Sequence, residues 1–545
     1  MTDIQDDSDE SIPPFPVTRF LAALAVVLAI VSVTFYFASP LFKGVLMTVY
    51  VSPWLVLGPL LLVLTTIGLA LSGVKLKNSL RVFSGETGLT FVLIVALTFV
   101  MVGAGAFGTL SGHALGQETM ENAVEIDQMY EADADHPRIV TRAQANRWAA
   151  GSVRSSKYNP TENAIVVYDN KTHWGSNLAP TSSLRNKYLS KQDGTILVNA
   201  ESFEKDVKVI RGEMKVGRGM GLTDSIEWQL NDARNGPYLV TYHFDVTRTI
   251  IHNDEQYLAV PYTKPKHQLL PLPYSHPSIG GVALVDAEGN IDHLTLAEAR
   301  ENPVLAGQPL LPPAYVREAV ASTTYRAGII DTLPVIGSYS ETISVAPVPG
   351  ENNDQPFYLR TNQGGQYVIA VEPTGDTQGL RELWFVDVRT GEFARYESNQ
   401  SDTLYGPRKS ADFVIDANDR VDWDKFTPSE PIPSIVDGEL YWQFRVVQSS
   451  GGGITFVSFV NAHSQTVVNI EDGEGASAVT EFMRGSYDGS VVSDRPDTTT
   501  RTPDLIIEKR NADGEVLETL YVYENETVVT RPYHNETAPN GTTSD

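Results

Sequence analysis

Five histidines, His243, His252, His267, His276 and His293, fall within one short stretch of a chain of 545 residues. Histidine titrates near neutrality and is the commonest metal ligand, so acid–base or metal chemistry is looked for here first. No HExxH or similar paired spacing occurs in the stretch. His252-Asn253-Asp254-Glu255 has the composition of a turn between strands. Ser275 beside His276 makes no triad, because a nucleophile and its base meet through space rather than along the chain. His293, next to Asp292, reads as part of a helix start. A hydrolase built on this region would need Asp254, Glu255 and His276 to converge in one cleft. The densest carboxylate group is Asp416, Asn418, Asp419, Asp422 and Asp424. Oxygens so spaced suit calcium, but the sixth-position glycine and closing glutamate of an EF-hand loop are missing. There is no G-x-S-x-G, and Gly217-Arg218-Gly219-Met220-Gly221 lacks the strand-to-helix setting of a dinucleotide loop. The residues therefore assign no catalytic, cofactor or metal site and imply no cofactor. They lean away from an enzyme, with an envelope hydrolase using carboxylates or a divalent metal kept as the alternative.

The elements that would position such groups centre on Leu383 to Tyr396, LWFVDVRTGEFARY. It reads as strand, tight turn, strand: an aromatic and branched run, then Asp387, Thr390 and Gly391 with turn chemistry, then Phe393 and Tyr396. The phrase returns at residues 457–467 with Asn461 in place of Asp387, and in shortened form at residues 282–291 with Asp286. Tyr367 precedes Asp387 by the same twenty residues that separate Tyr441 from Asn461, which argues for an internal repeat. Thr141 is the expected N-cap of a helix, and strands are expected at 164–168, 194–198, 238–246 and 256–262. Helices are expected at 295–301 and 313–326. The stretch 398–430 reads as an excursion or linker, and residues 505–522 as a last hairpin turning at Asp513-Gly514. Trp384, Phe385, Trp442, Phe444 and Phe456 sit at strand positions and default to core.

Three apolar runs precede all this, at about 20–39, 45–72 and 89–110, each long enough for a hydrocarbon core of about 30 Å. None of these runs, as read here as spans, is taken as a proton or ion path; they read as an anchor in the lipid bilayer. Gly103, Gly105 and Gly108 allow close helix contact, either within the chain or between copies, so oligomerisation stays open. Arg19 before the first run and Lys75, Lys77 and Arg81 after the second put the N-terminus in the cytoplasm and the large C-terminal part outside. Acceptor sequons at Asn170, Asn399, Asn525, Asn535 and Asn540 fit that placement as glycosylation candidates.

Composition narrows the partners. Lys and Arg total 41 against 67 Asp and Glu, a net charge of −26, which disfavours nucleic acid and anionic membrane surfaces. The acids are spread along the chain, as on the hydrated surface of a halophile's protein. Cysteine is absent, which excludes disulfides, thiolate metal sites and a Cys nucleophile.

The phrase Val386-Asp387-Val388-Arg389-Thr390-Gly391-Glu392 between two strands resembles the closing hairpin of PepSY-type modules, which belong to the cystatin-like folds. The longer course, with GVALVDAEGNI and LTLAEARENPVLAGQPLLP, resembles uncharacterised multi-span membrane proteins of halophilic-archaeal type that carry several such modules. The resemblance implies an α+β ectodomain of tandem antiparallel-sheet-plus-helix modules behind three N-terminal transmembrane helices. It implies association with peptidases or other envelope partners, and no activity. The expected organisation is a membrane anchor over 1–115, a stalk over 116–140 and a first extracellular α+β domain over 141–332. A second domain with two repeats follows over 333–500, then the hairpin over 501–528 and a disordered tail over 529–545. The expected function is a membrane-anchored extracellular protein acting non-enzymatically by protein–protein or envelope interaction, regulating or scaffolding a surface partner.

Overall fold

The computed structural model describes residues 17–53, 108–189, 191–268, 274–332, 342–348, 354–375, 379–398, 404–449, 453–489, 491–493, 505–510 and 516–522. It is a mixed α+β structure in which four sheets of five or six strands, antiparallel but for one short parallel pair, are joined by helices, with a two-stranded hairpin near the end.

The chain enters as one helix, Val17–Val51, bent at Ala38 (φ −126°) two residues before Pro40. Proline lacks the N–H that the helix ladder needs and crowds the preceding turn, which accounts for the bend. Among the described residues this is the one helix long and apolar enough to cross a membrane, over Ala25–Val51 with mean hydropathy 2.1. The three expected spans are thereby corrected for the part described. The helix continues unbroken through the expected loop at residues 40–44 and into the start of the expected second span at 45. The rest of the second span and nearly all of the third lie outside the described residues. Over residues 25–37 most apolar side chains are bare, Val26 and Phe37 being 59 % and 63 % exposed, while the Phe35 ring meets Tyr238 edge-on. After it the helix is fastened to protein. Ser39 Oγ donates to Asp232 (3.2 Å), and Tyr238 donates its hydroxyl to the Ser39 carbonyl (2.6 Å). Lys43 lies 4.3 Å from the Tyr242 ring centre, and Ser275 Oγ donates to the Val51 carbonyl (2.8 Å).

Residues 116–140, expected as a stalk, are built into the fold. A helix over 108–122 buries Leu115 and Thr119, Val124–Glu125 pairs in parallel with residues 394–395, and Ala132 bridges Thr361. Thr141 caps the helix Arg142–Ala150, its hydroxyl accepting from Gln144 N (3.2 Å).

The first sheet holds Tyr158–Pro160, Ala164–Tyr168, Lys171–Pro180, Thr195–Asn199 and Val207–Ile210. The second holds Thr241–Tyr242, Arg248–His252, Glu255–Gln268, Tyr274–Val285 and Ile291–Leu294. The strand expected over 238–246 is only Thr241–Tyr242 followed by a 3-10 turn, while the strand expected over 256–262 runs on to Gln268. Helix Leu296–Glu301 starts with a capping box between Thr295 and Glu298, and helix Pro313–Ser322 follows.

The third sheet is ordered Val124–Glu125, Phe393–Glu397, Glu382–Asp387, Gly364–Pro373, Ile343–Val345, with Phe357–Thr361 also on Gly364–Pro373. The fourth runs Phe426–Val436, Glu439–Gln448, Ile454–Asn461, Val467–Glu471, Val491–Ser493. Between them the expected linker at 398–430 contains the amphipathic helix Pro407–Asp416, so its described part is structured. Three tight turns share a pair of positive-φ residues: Asp169-Asn170, Asn253-Asp254 and Asp437-Gly438. Such a pair twists in the sense of the flanking strands, and Asn, Asp and Gly tolerate it best.

The wider turns are held by an Asx side chain. Asp387 Oδ1 accepts from Arg389 N (2.8 Å) and Thr390 N (2.7 Å), and its carbonyl accepts from Gly391 N (3.0 Å). Asn461 Oδ1 accepts from His463 N (2.8 Å) and Ser464 N (2.8 Å), and its carbonyl accepts from Gln465 N (3.1 Å).

One apolar cluster crosses the expected boundary at 332–333. It joins Trp174 and Ile196 of the first sheet, Val316 and Val320 of a helix, Ile369 and Trp384 of the third sheet, and Phe459 and Phe482 of the fourth. The units expected over 141–332 and 333–500 therefore share a core. Strands Leu505–Arg510 and Val516–Val522 pair as the expected last hairpin. Its Asp513-Gly514 turn and the tail over 529–545 lie outside the described residues.

Candidate functional site

The histidines do not assemble. His243 Nε2 is 3.2 Å from Thr263 Oγ1, the His267 ring meets Tyr50 edge-on, and His276 Nε2 is 3.5 Å from Glu118. His293 Nε2 is 2.9 Å from the Tyr242 hydroxyl. Burial draws His243, His276 and His293 below their usual value, favouring the neutral ring at pH 7. Asp254 and Glu255 sit at a hairpin turn, while His276 pairs with Lys266, far along the strand Glu255–Gln268 from its first residue. Eleven strand residues span about 36 Å. The convergence that a hydrolase at these residues requires is absent. In the carboxylate group Asp422 is paired with Lys425, and Asn418 Oδ1 accepts from Asn469 (2.6 Å). No group of three or more His, Cys, Asp or Glu among the described residues is arranged to hold a metal. Of the sequons, Asn170 lies exposed in its turn, where its carbonyl accepts from Arg360 (2.6 Å). Asn399, Asn525, Asn535 and Asn540 lie outside the described residues.

What the fold does assemble is a cavity of about 380 Å³ to which all four large sheets and a helix N-terminus contribute. Its walls carry four arginines, Arg138, Arg142, Arg248 and Arg317, and three carboxylates, Asp245, Asp354 and Glu430. Their positions follow from local structure. A bulge between Ser429 and Ile432 puts Glu430 at φ +50° and turns its side chain inward. There the Glu430 carboxylate pairs with Arg138 Nη2 and accepts from Arg142 N (2.7 Å). Arg138, 4 % exposed, also donates to the Tyr358 carbonyl (2.8 Å), with its guanidinium 5.3 Å from the Trp174 ring centre. Burial and then the charge of Arg445 lower the Arg138 pKa. Arg445, fully buried one layer further in, donates to the carbonyls of Glu430 (2.6 Å) and Gln443 (3.2 Å).

Arg248 differs from the other buried arginine on this wall. It opens the strand Arg248–His252 and is 2 % exposed. Its Nη2 donates to the Leu311 carbonyl (3.1 Å) and the Tyr367 hydroxyl (3.0 Å). Its Nε is buried without a partner, and among the described residues it has no carboxylate at ion-pair distance. Burial raises the pKa of Tyr358 and Tyr367, so both phenols stay protonated. Beside Arg248 begins the helix Pro313–Ser322, whose N-cap Pro312 supplies no side-chain hydrogen bond. Ala314 in its first turn lines the cavity, and Arg317 stands one turn on. The first N–H groups of a helix lack intrahelical acceptors and carry partial positive charge, so they suit an anion. Guanidinium groups and free amide N–H groups in a partly apolar cavity bind and orient an anion.

The arginines escaped notice in the sequence because they are scattered over nearly two hundred residues and carry no spacing rule. The one legible sign was Arg445 inside the apolar strand Tyr441-Trp-Gln-Phe-Arg-Val, where a charge must have buried partners. Comparison with protein families, with curated proteins and with solved structures finds no match to this chain.

Proposed function

We propose that this chain is a membrane-anchored, outward-facing protein that acts by recognition rather than catalysis, presenting its folded part to an envelope partner that it scaffolds or regulates. The observation that carries this reading is the junction at Ser39 and Lys43. From Val17 to Ala38 the helix rises about 33 Å, enough for a hydrocarbon core. Immediately beyond, Ser39 and Lys43 are 0 % and 7 % exposed, held by Asp232, Tyr238 and Tyr242. The anchor thus continues into the domain without a tether and fixes the face turned to the bilayer and the face turned away. Arg19, in the first turn of the helix and ahead of its apolar run, supports a cytoplasmic N-terminus, and the sequons support the outward side. The four sheets are read as related antiparallel-sheet-plus-helix modules of PepSY-like type. Support comes from the three matching positive-φ turns and the two matching Asx turns. The separation of Asp254 and Glu255 from His276 weighs against a hydrolase there.

A proximity pull-down from intact cells in native salt, with the full-length protein tagged at its N-terminus, tests the reading. One recurrent envelope partner, retained by wild type and lost when Tyr238 and Tyr242 are replaced so that the domain swings free, supports it. Co-purification of cytoplasmic proteins alone, with no envelope partner, contradicts it.

A further inference from the structure

The cavity at Arg248 is a binding site that the recognition reading does not assign, and its chemistry stands whichever way the chain is oriented. We infer that it binds a small organic monoanion, a carboxylate on a flat apolar body, with the carboxylate on Arg248 and the N-terminus of helix Pro313–Ser322.

Three observations converge on that class. Arg248 is 2 % exposed, has an unpartnered Nε and no carboxylate beside it, so a buried positive charge lacks its counter-charge. Buried charges are otherwise paired, because removing an ion from water is costly. The helix beginning at Pro313 is uncapped by any side chain, and Ala314 of its first turn lines the same cavity. The charge balance then sets the valence. Three of the four wall arginines have an ion-pair partner and one does not, which suits a monoanion better than a dianion. Arg138 pairs with Glu430, Arg317 lies 3.3 Å from Asp354 and Arg142 lies 3.5 Å from Glu162, so among the described residues Arg248 is the wall arginine without a carboxylate at ion-pair distance.

Size and walls set the rest. A cavity of about 380 Å³ admits a ligand of roughly ten to twenty heavy atoms and is too roomy for a lone halide. Ile165, Val246, Pro313 and Phe357 add apolar contact to the same cavity. A planar guanidinium edge matches a carboxylate in two parallel hydrogen bonds, a fit that a spherical ion cannot exploit.

The test uses full-length protein in detergent at fixed salt and pH 7.5, with benzoate as the probe. Benzamide, inorganic phosphate and added chloride serve as controls. Saturating benzoate is expected to raise the Tm by about 3 °C, with benzamide inert and phosphate and chloride no better than matched ionic strength. Arg248→Gln is expected to abolish the shift. Because Arg248 is buried and its loss also bears on folding, Ala314→Leu at the exposed mouth is the second variant. It should leave the unliganded melt unchanged and weaken benzoate at least tenfold. No shift in wild type, which would mean a water-filled cavity only, overturns the inference. So does an equal shift from benzamide, from phosphate or from chloride, or a shift that survives in Ala314→Leu.

Discussion

The turns at Asp387 and Asn461 close with the same hydrogen bonds, yet the sheets that carry them pair in different registers. In the third sheet Tyr367 lies opposite Val386; in the fourth Tyr441 lies opposite Asn461. The equal twenty-residue spacing seen in the sequence therefore lands one step out of phase. With a side-chain period of two, that step exchanges the faces of the following strand. Phe385 joins the core shared by the third and fourth sheets, while Phe459, in the matching position before its turn, joins the larger cluster on the other side. Local turn chemistry is preserved between the two regions, and strand register, which depends on what each face must bury, is not.

The same contrast separates Gly391 from Gln465. Both hold positive φ, +76° and +65°, at the same point of the turn. Gln465 shows that the Asx bonds suffice to hold an L-residue there, and its side chain donates to the Tyr405 hydroxyl (3.0 Å). Gly391 is required by more than φ: a Cβ there would lie 2.7 Å from Ile279 Cδ1 of the second sheet. A side chain at 391 would make the tip of Ile279 give way, whereas the other copy carries one at the same point of the turn.

Buried carboxylates divide the two regions again. Glu430 in the fourth sheet is paired with Arg138, whereas Glu372 in the third is 2 % exposed with Oε1 unpartnered, and burial pushes it up to about 7. The largest expected effect follows from the paired one. Glu430→Gln leaves the buried Arg138 without its carboxylate and should cost about 3–5 kcal/mol in denaturant unfolding of the full-length protein. A loss below 1 kcal/mol would show that the pair is not holding the sheets together.

Next is Gly391→Val, where strained backbone and contact with Ile279 add to about 2–3 kcal/mol. The mirror change Gln465→Gly should alter stability by no more than about 1 kcal/mol. Equal losses at the two sites would break the distinction between them.

The smaller effect is Glu372→Gln, and it depends on pH. The folded value lies above the ordinary carboxyl value, so the stability tied to the protonated form is complete below about 4.5 and is lost as pH rises through about 7. The amide should therefore stabilise by about 2 kcal/mol at pH 8 and change little near pH 4. A Tm difference that does not narrow on acidification would contradict the assignment.

These particulars show what the sequence made legible. The Asx turns at 387 and 461, the Thr141 cap and the Thr295–Glu298 capping box were readable because each is decided within four residues. The register step, the bulge at Glu430 and the shared core across residues 332–333 were not, since each is decided by faces meeting from distant parts of the chain. Lys43 falls between the apolar runs expected over 20–39 and 45–72. Its place against Tyr242 depends on a partner about two hundred residues away. The arginine cavity is the extreme case, with every wall supplied by a different element.

The central claim is that the folded domain stands outside the cell on an N-terminal anchor, and the absence of cysteine makes that claim directly measurable. Gln363 lies exposed in the turn between two strands of the third sheet. In Gln363→Cys, a membrane-impermeant maleimide applied to intact cells should label the single thiol as fully as it does after lysis. Labelling only after lysis would place the domain inside and contradict the account.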